Sequence, residues 1–252
     1  MLTASGTGPR RAGATGKLSG RVRAGNYHRL VAEMHPLGSH ARPEVRPLVA
    51  EDLSGVVASL TRAFEDDPLS KYLFPNDKSR ARGLARFFRA QIRHTYLYRG
   101  EPYTTGKNEA AALWMPPERK PPRLREVVAQ VSVAPTMGRR IGAAFSLIQS
   151  MEARHPKAPH YYLGTIGTDP SFQGRGFGTA LLAPVLRRCD EEGIPAYLES
   201  SKERNVPFYR RHGFEVTGEL TTPGGEVKLW LMWRDPVPPP PDSLLRGPGL
   251  PE

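Results

Sequence analysis

The sequence predicts a mixed α/β domain, one sheet covered by helices, and three observations carry that prediction. Segments with the pattern of half-buried strands alternate with segments of helical period. A strand, a glycine-rich turn and a helix follow one another between 160 and 193. Both ends of the chain are too rich in Pro, Gly and charge to join a core.

Of the 252 residues, 36 are Lys or Arg and 25 are Asp or Glu, a net charge of +11. The excess sits at the front, where residues 1–46 hold eight basic residues against two acidic ones. Interleaved aromatics are lacking there, so residues 1–43 read as a solvated basic arm rather than a nucleic-acid grip. A translation start at Met34 would remove most of it. At the other end, residues 235–252 form a Pro-rich tail, leaving 44–234 as the folded domain. No window approaches the roughly 18 apolar residues of a membrane span, and no apolar stretch follows Arg10-Arg11 to make a signal. The one cysteine, Cys189, excludes a disulfide scaffold and a thiolate metal cluster. A cytoplasmic protein without membrane partner or metal is expected.

VRPLV (45–49) reads as a strand, and 51–64 places Leu53, Val56, Val57, Leu60 and Phe64 at helical spacing. Two prolines make 66–77 a loop, after which 78–98 resumes helix with Leu84, Phe87, Phe88 and Ile92 on one side. EPYTT and AAALWMP flank Gly106-Lys107-Asn108-Glu109 as a hairpin. Helices over about 123–133 and 137–154 come next, then a strand over 160–168, the glycine turn, a helix, a strand at 194–200, a helix and two strands.

Asp169-Pro170 ends the strand at 160–168, and SFQGRGFG leads into the following helix. That helix opens with unpaired N–H groups and a positive dipole end, while Gly174, Gly176 and Gly178 let a ligand reach the main chain. A phosphate or pyrophosphate fits, with Arg175 adding charge; a plain tight turn is the alternative. The spacing fails the dinucleotide fingerprint and the P-loop pattern. Cys189, among Leu181, Leu182, Val185 and Leu186, reads as core rather than nucleophile. Pro184 is an unexplained break inside the helical pattern.

Gln173-Gly174-Arg175-Gly176-Phe177-Gly178 resembles the acetyl-CoA loop of the GCN5-related N-acetyltransferase (GNAT) superfamily, general form Q/R-x-x-G-x-G/A. Asn205, Tyr209, Gly213 and Phe214 resemble that superfamily's next segment, and residues 160–234 are most similar to its puromycin N-acetyltransferase branch. The resemblance implies a mixed, mostly antiparallel sheet with splayed middle strands flanked by helices. It also implies acetyl-CoA as co-substrate, held by Ile166, Gly167 and Thr168, by Gln173 to Thr179 and by Asn205 and Tyr209. The reaction implied is direct acetyl transfer within a ternary complex to the primary amine of a small molecule, an aminonucleoside antibiotic among the candidates.

Tyr209 is the candidate general acid for the leaving thiolate, with a core tyrosine as the alternative. Asn205 is expected to cap its helix, to hold the CoA arm, or to do both. The strand 160–168 lacks the carboxylate that many relatives carry there, so Glu199 on the neighbouring strand is the candidate base; it could instead cap the Ser200-Ser201 turn. Gly164 and Gly167 fit a bulge or a close ligand approach, with relief of crowding as the alternative. His155 and His160 flank the strand and either touch the acceptor or pack. Phe64, Asp67, Tyr72 and Phe74 are candidate acceptor-site residues. A protein amine as acceptor, or a CoA-sensing or nucleic-acid-binding module without turnover, would use the same features; monomer and homodimer both remain open.

Overall fold

The computed structural model describes residues 43–118 and 133–238. The predicted arm, most of the helix expected at 123–133 and the end of the Pro-rich tail lie outside the described residues. The described part is a seven-stranded sheet in the order β1-β2-β3-β4-β5-β7-β6. Its strands are β1 Val45–Pro47, β2 Glu101–Thr105, β3 Ala110–Met115, β4 Tyr161–Thr168, β5 Ala196–Ser200, β6 Glu215–Thr221 and β7 Lys228–Arg234. Every neighbouring pair is antiparallel except β4 and β5, which run parallel.

The helices are α1 Leu53–Phe64, α2 Pro68–Leu73, α3 Asp77–Gln91, α4 Ile141–Arg154, α5 Phe177–Glu192 and α6 Val206–Arg210. They cover both faces of the sheet, which explains why β3 is apolar throughout rather than alternating. Ala110, Ala112 and Trp114 of β3 pack with Leu181, Leu182 and Val185 of α5. Ala111 and Leu113 face the other way, onto Val56, Val57 and Leu60 of α1 and Leu84 and Phe88 of α3. Beyond β5, Leu147 of α4 packs with Tyr197, Leu229 and Leu231. Arg46 donates two hydrogen bonds to Asp52, at 2.6 and 2.7 Å, and so ties β1 to the start of α1; the guanidinium holds that carboxyl down to about 2.

Three expected segments differ in detail. Residues 66–77 are not all loop: Asp67 accepts from the Ser70 N–H at 3.1 Å and Pro68 stands at the first helical position, which together start α2. The helix expected over 78–98 is α to Gln91 and again over Leu97–Arg99, with a π-helical turn at Ile92–Tyr96 between them. The helix expected over 137–154 begins at Ile141, because Gly138 at φ 55° breaks it from the 3-10 turn before it. Pro184 lies inside an otherwise continuous α5. Among the described residues no helix is long and apolar enough to cross a membrane, and no cluster of three metal-ligating side chains occurs.

Candidate active site

β4 and β5 pair at three positions, Tyr161 with Ala196, Tyr162 with Tyr197 and Leu163 with Leu198, and then part. β4 continues along β3 alone to Thr168, and β5 continues along β7 alone to Ser200. The cause of the parting is local. Against β3, Leu113 pairs with Thr165 and Trp114 with Leu163, so Gly164 is an extra residue, a bulge.

A bulge also reverses which amides point where. Before it, the Tyr161 N–H reaches the Pro195 carbonyl on the β5 side; after it, the Asp169 N–H reaches Glu109 on the β3 side. Alternation from Asp169 turns the amides of Thr165 and Gly167 toward β3 and those of Ile166 and Thr168 into the opening. The Gln173 side chain donates to the Thr168 carbonyl at 3.1 Å, fixing the start of the glycine loop to that same edge.

In the loop, Gly174 has φ 76° and Gly176 φ 81°, both left-handed, and a Cβ at either would meet open space. Glycine is required there by conformation, not by crowding. Gly176 is the N-cap of α5 and provides no side-chain cap, and the first intrahelical bond comes only with the Ala180 N–H. The leading N–H groups of this 16-residue helix take no partner among the described residues, an arrangement suited to a diphosphate. Arg175 lies over the Phe172 ring, 5.4 Å from its centroid, and Gly178 gives way to the Phe208 ring.

Gly167 has a different reason for being glycine from the close ligand approach expected. A Cβ there would lie 2.8 Å from Leu60 and 2.9 Å from Phe64, so the close approach is made by α1. At Gly164 a Cβ would run into the Tyr96 hydroxyl. The π-helical turn delivers that phenol to the bulge.

Glu199 stands where the pairing of β4 and β5 has just ended. Its side chain is 4% exposed, its Oε1 has no hydrogen-bond partner, and His155 Nδ1 is 3.8 Å from that oxygen. It does not cap the Ser200-Ser201 turn: Ser200 donates to the Lys202 carbonyl and Ser201 to Asp67 instead. Burial raises the phenols of Tyr96 and Tyr162, and the charge of Glu199 raises both further, so both stay protonated beside it.

Tyr209 projects from α6 into the core shared by α5 and the sheet, against Phe208 and Phe214. Burial, then the Asp67 carboxylate, raises its phenol above the ordinary value. Asn205 occupies the N-cap position of α6 but its side chain makes no capping bond. Asp67 is buried and accepts from Ser201 Oγ at 2.6 Å, which joins the α1–α2 corner to the end of β5. Phe64 is half-buried, 5.2 Å from Phe88 between ring centroids.

The other two residues expected at the acceptor site are structural. Tyr72 is buried and donates to the Pro223 carbonyl, and Phe74 is buried with its ring over Gly83. Burial pushes the Cys189 thiol up to about 12, as suits a core residue. Tyr96, Tyr162 and the His155 contact with Glu199 are additions that sequence patterning did not assign to the site. A continuous helical period concealed the π turn, and Tyr162 read only as a strand residue.

Outside the narrow part of the opening, a cavity of about 510 Å³ lies between the α1–α2 corner and Gln173, lined in part by Arg62, Asp66, Lys71 and Arg204. Asp66 pairs with Lys202 and Arg204, and Arg62 with Asp169.

Residues 107–214 match the acetyltransferase (GNAT) family. An uncharacterized N-acetyltransferase of Schizosaccharomyces pombe is 27% identical over 201 residues, 74% of this chain and 81% of that protein. Glucosamine 6-phosphate N-acetyltransferase of Trypanosoma brucei brucei is 30% identical over 90 residues, 36% of this chain and 60% of that one. A solved Corynebacterium glutamicum structure, described as histone acetyltransferase HPA2 and related acetyltransferase, has a TM-score of 0.58 at 25% identity, covering 79% of this chain and 99% of its own. None of these supports the puromycin-type specificity. The chain is an acetyl-CoA-dependent N-acetyltransferase, and its GNAT match spans residues 107–214.

Proposed function

We propose that this enzyme transfers the acetyl group of acetyl-CoA to a primary amine of a small molecule within a ternary complex, with Glu199 as base and Tyr209 as acid. The observation that carries the reading is the parting of β4 from β5, which leaves a buried carboxylate with an unpaired oxygen across from the freed amides of Ile166 and Thr168. On this reading the leading amides of α5, with Arg175, hold the diphosphate, and the freed β4 edge and Asn205 hold the pantetheine arm.

The chemistry asked of the chain is modest. Glu199 takes a proton from the acceptor ammonium, directly or through water. The free amine forms the N–C bond as the C–S bond breaks, a β4 amide supports the carbonyl oxygen as it gains charge, and Tyr209 gives its proton to the thiolate and is reprotonated by the second proton that the nitrogen sheds on becoming an amide. The raised phenol stays protonated at neutral pH, so its proton is in place when the thiolate departs. The charged cavity beside Gln173, about 510 Å³, is large enough to admit a small acceptor. The relative named for glucosamine 6-phosphate supports the same class. An aminonucleoside remains within it.

The test is thiol release from acetyl-CoA against a panel holding puromycin, glucosamine 6-phosphate and a peptide amine. Turnover of a small amine is expected, with kcat lowered on the order of 10²-fold or more by Glu199→Gln and by Tyr209→Phe. Turnover of the peptide alone would overturn the small-molecule reading. A Glu199→Gln variant with the pH profile of the wild type would remove Glu199 as base.

A further inference from the structure

Glu199 does not sit alone: behind it, away from the glycine loop, lies a pair of histidines. His155 follows the last residue of α4 and His160 precedes β4; their Nε2 atoms are 2.9 Å apart. The far nitrogen of His160, Nδ1, lies 2.7 Å from the Ala158 carbonyl. The His155 side chain is 7% exposed and His160 as a residue 4%.

These contacts fix where the protons are. A carbonyl only accepts, so His160 carries its hydrogen on Nδ1 and, when neutral, presents Nε2 as an acceptor. His155 must then carry its hydrogen on Nε2 to make the 2.9 Å contact. The Nδ1 of a neutral His155 is therefore a bare lone pair, and it is this atom that faces Glu199 Oε1 at 3.8 Å. Two acceptors facing each other in a buried site leave room for one shared proton, and Oε1 has no other partner.

Resting on Glu199 as base, we propose that His155 is the proton store behind it: a proton taken by Glu199 from the acceptor ammonium passes to His155 Nδ1, restoring the carboxylate. The balance is simple. The N–H bond of the ammonium breaks as the O–H bond of Glu199 forms; that bond breaks as the Nδ1–H bond of His155 forms, and the resulting imidazolium donates through Nε2 to His160. A movement that closes 3.8 Å to hydrogen-bond length is required, of the kind that accompanies substrate binding. Among the described residues the other ionisable side chains facing the pair are phenols. Tyr162 of β4 and Tyr197 of β5 stand edge-on to His155, and Tyr96 of the π turn faces Glu199. His155 acts through Glu199, so it is a positioning residue.

The test begins with the unaltered chain. Ring-nitrogen NMR of the ¹⁵N-histidine-labelled protein should find His155 as the Nε2–H tautomer at high pH, taking up a proton at Nδ1 as pH falls. In the Glu199→Gln variant that uptake should shift to lower pH, because the carboxylate that favours the imidazolium is gone. His155 found as the Nδ1–H tautomer, or titrating identically in both proteins, would overturn the proposal.

The kinetic arm uses His155→Gln, whose amide can still donate to His160 but cannot store a proton facing Glu199. With acetyl-CoA and whichever of puromycin and glucosamine 6-phosphate turns over, kcat should fall on the order of 10²-fold at neutral pH, KM for acetyl-CoA should hold, and the loss should shrink as the pH rises. A wild-type profile in His155→Gln with a crippled Glu199→Gln removes the relay and spares the base. A wild-type profile in Glu199→Gln removes both.

Discussion

The two ends of the β4–β5 pair are built from the same two strands and behave as opposites. At the closed end, Leu163 and Leu198 are buried beside Leu182 of α5, and the backbone of each strand satisfies the other. At the open end, a few residues on, the amides of Ile166 and Thr168 are freed and the side chains are Glu199 and Tyr96. One inserted glycine separates these regimes. Because the bulge at Gly164 reverses the amide alternation while β4 keeps its place on β3, a ligand-binding edge arises inside a sheet without disturbing the sheet's core.

The contrast predicts that the two ends fail differently. Leu198→Ala at the closed end should cost about 2–5 kcal/mol of stability, the range for emptying a buried leucine site, while kcat per folded molecule stays near that of the wild type. Denaturant unfolding read beside kcat checks this; an activity loss at full stability would mean that the closed end also shapes the site. Gly164→Ala should show the reverse emphasis. Its methyl must displace the Tyr96 hydroxyl, an overpacking cost of about 1–3 kcal/mol, and the displaced phenol sits beside Glu199. A kcat lowered roughly tenfold with only a modest shift in unfolding midpoint is expected, since about 1.4 kcal/mol in the barrier is tenfold. An unchanged kcat would show that Tyr96 fills space and does nothing for Glu199.

The closed end was legible in the sequence because burial writes itself as periodicity: the strand at 160–168, the helix through Leu181 and Leu186 and the strand at 194–200 all follow from apolar spacing. The glycine loop was legible for another reason, since Gly174 and Gly176 occupy positive φ that other residues resist. Glu199 stood out as a carboxylate at a strand end. Its surroundings did not. Tyr96 arrives through a π turn that leaves no mark on the helical pattern, and His155 reaches Glu199 from 44 positions away in the chain. Phe74 and Tyr72 were misplaced for the converse reason: aromatic residues in a Pro-flanked loop look like a binding surface, whereas Phe74 fills the space over Gly83 and Tyr72 is spent on Pro223.

The smallest expected effect lies at the far tip of the open end, where Asp169 anchors β4 to α1. Burial alone would raise its carboxyl, but the Ser171 N–H and the Arg62 guanidinium outweigh that and hold it below the ordinary range. A carboxyl lowered on folding adds stability above its unfolded value, near pH 4, and loses that contribution as pH falls through the folded value. Arg62 is 54% exposed, so its pairing is screened and worth less than about 1 kcal/mol. Asp169→Asn isolates it, because the amide oxygen can still accept from Ser171 while the charge is gone. Unfolding free energies of the two proteins should differ slightly at neutral pH, approach each other in acid, and draw together in high salt. A difference that survives both acid and salt would assign the anchoring to the geometry of the Ser171 turn instead of the Arg62 pair, and the tip of the open strand would then be held by its own backbone rather than by α1.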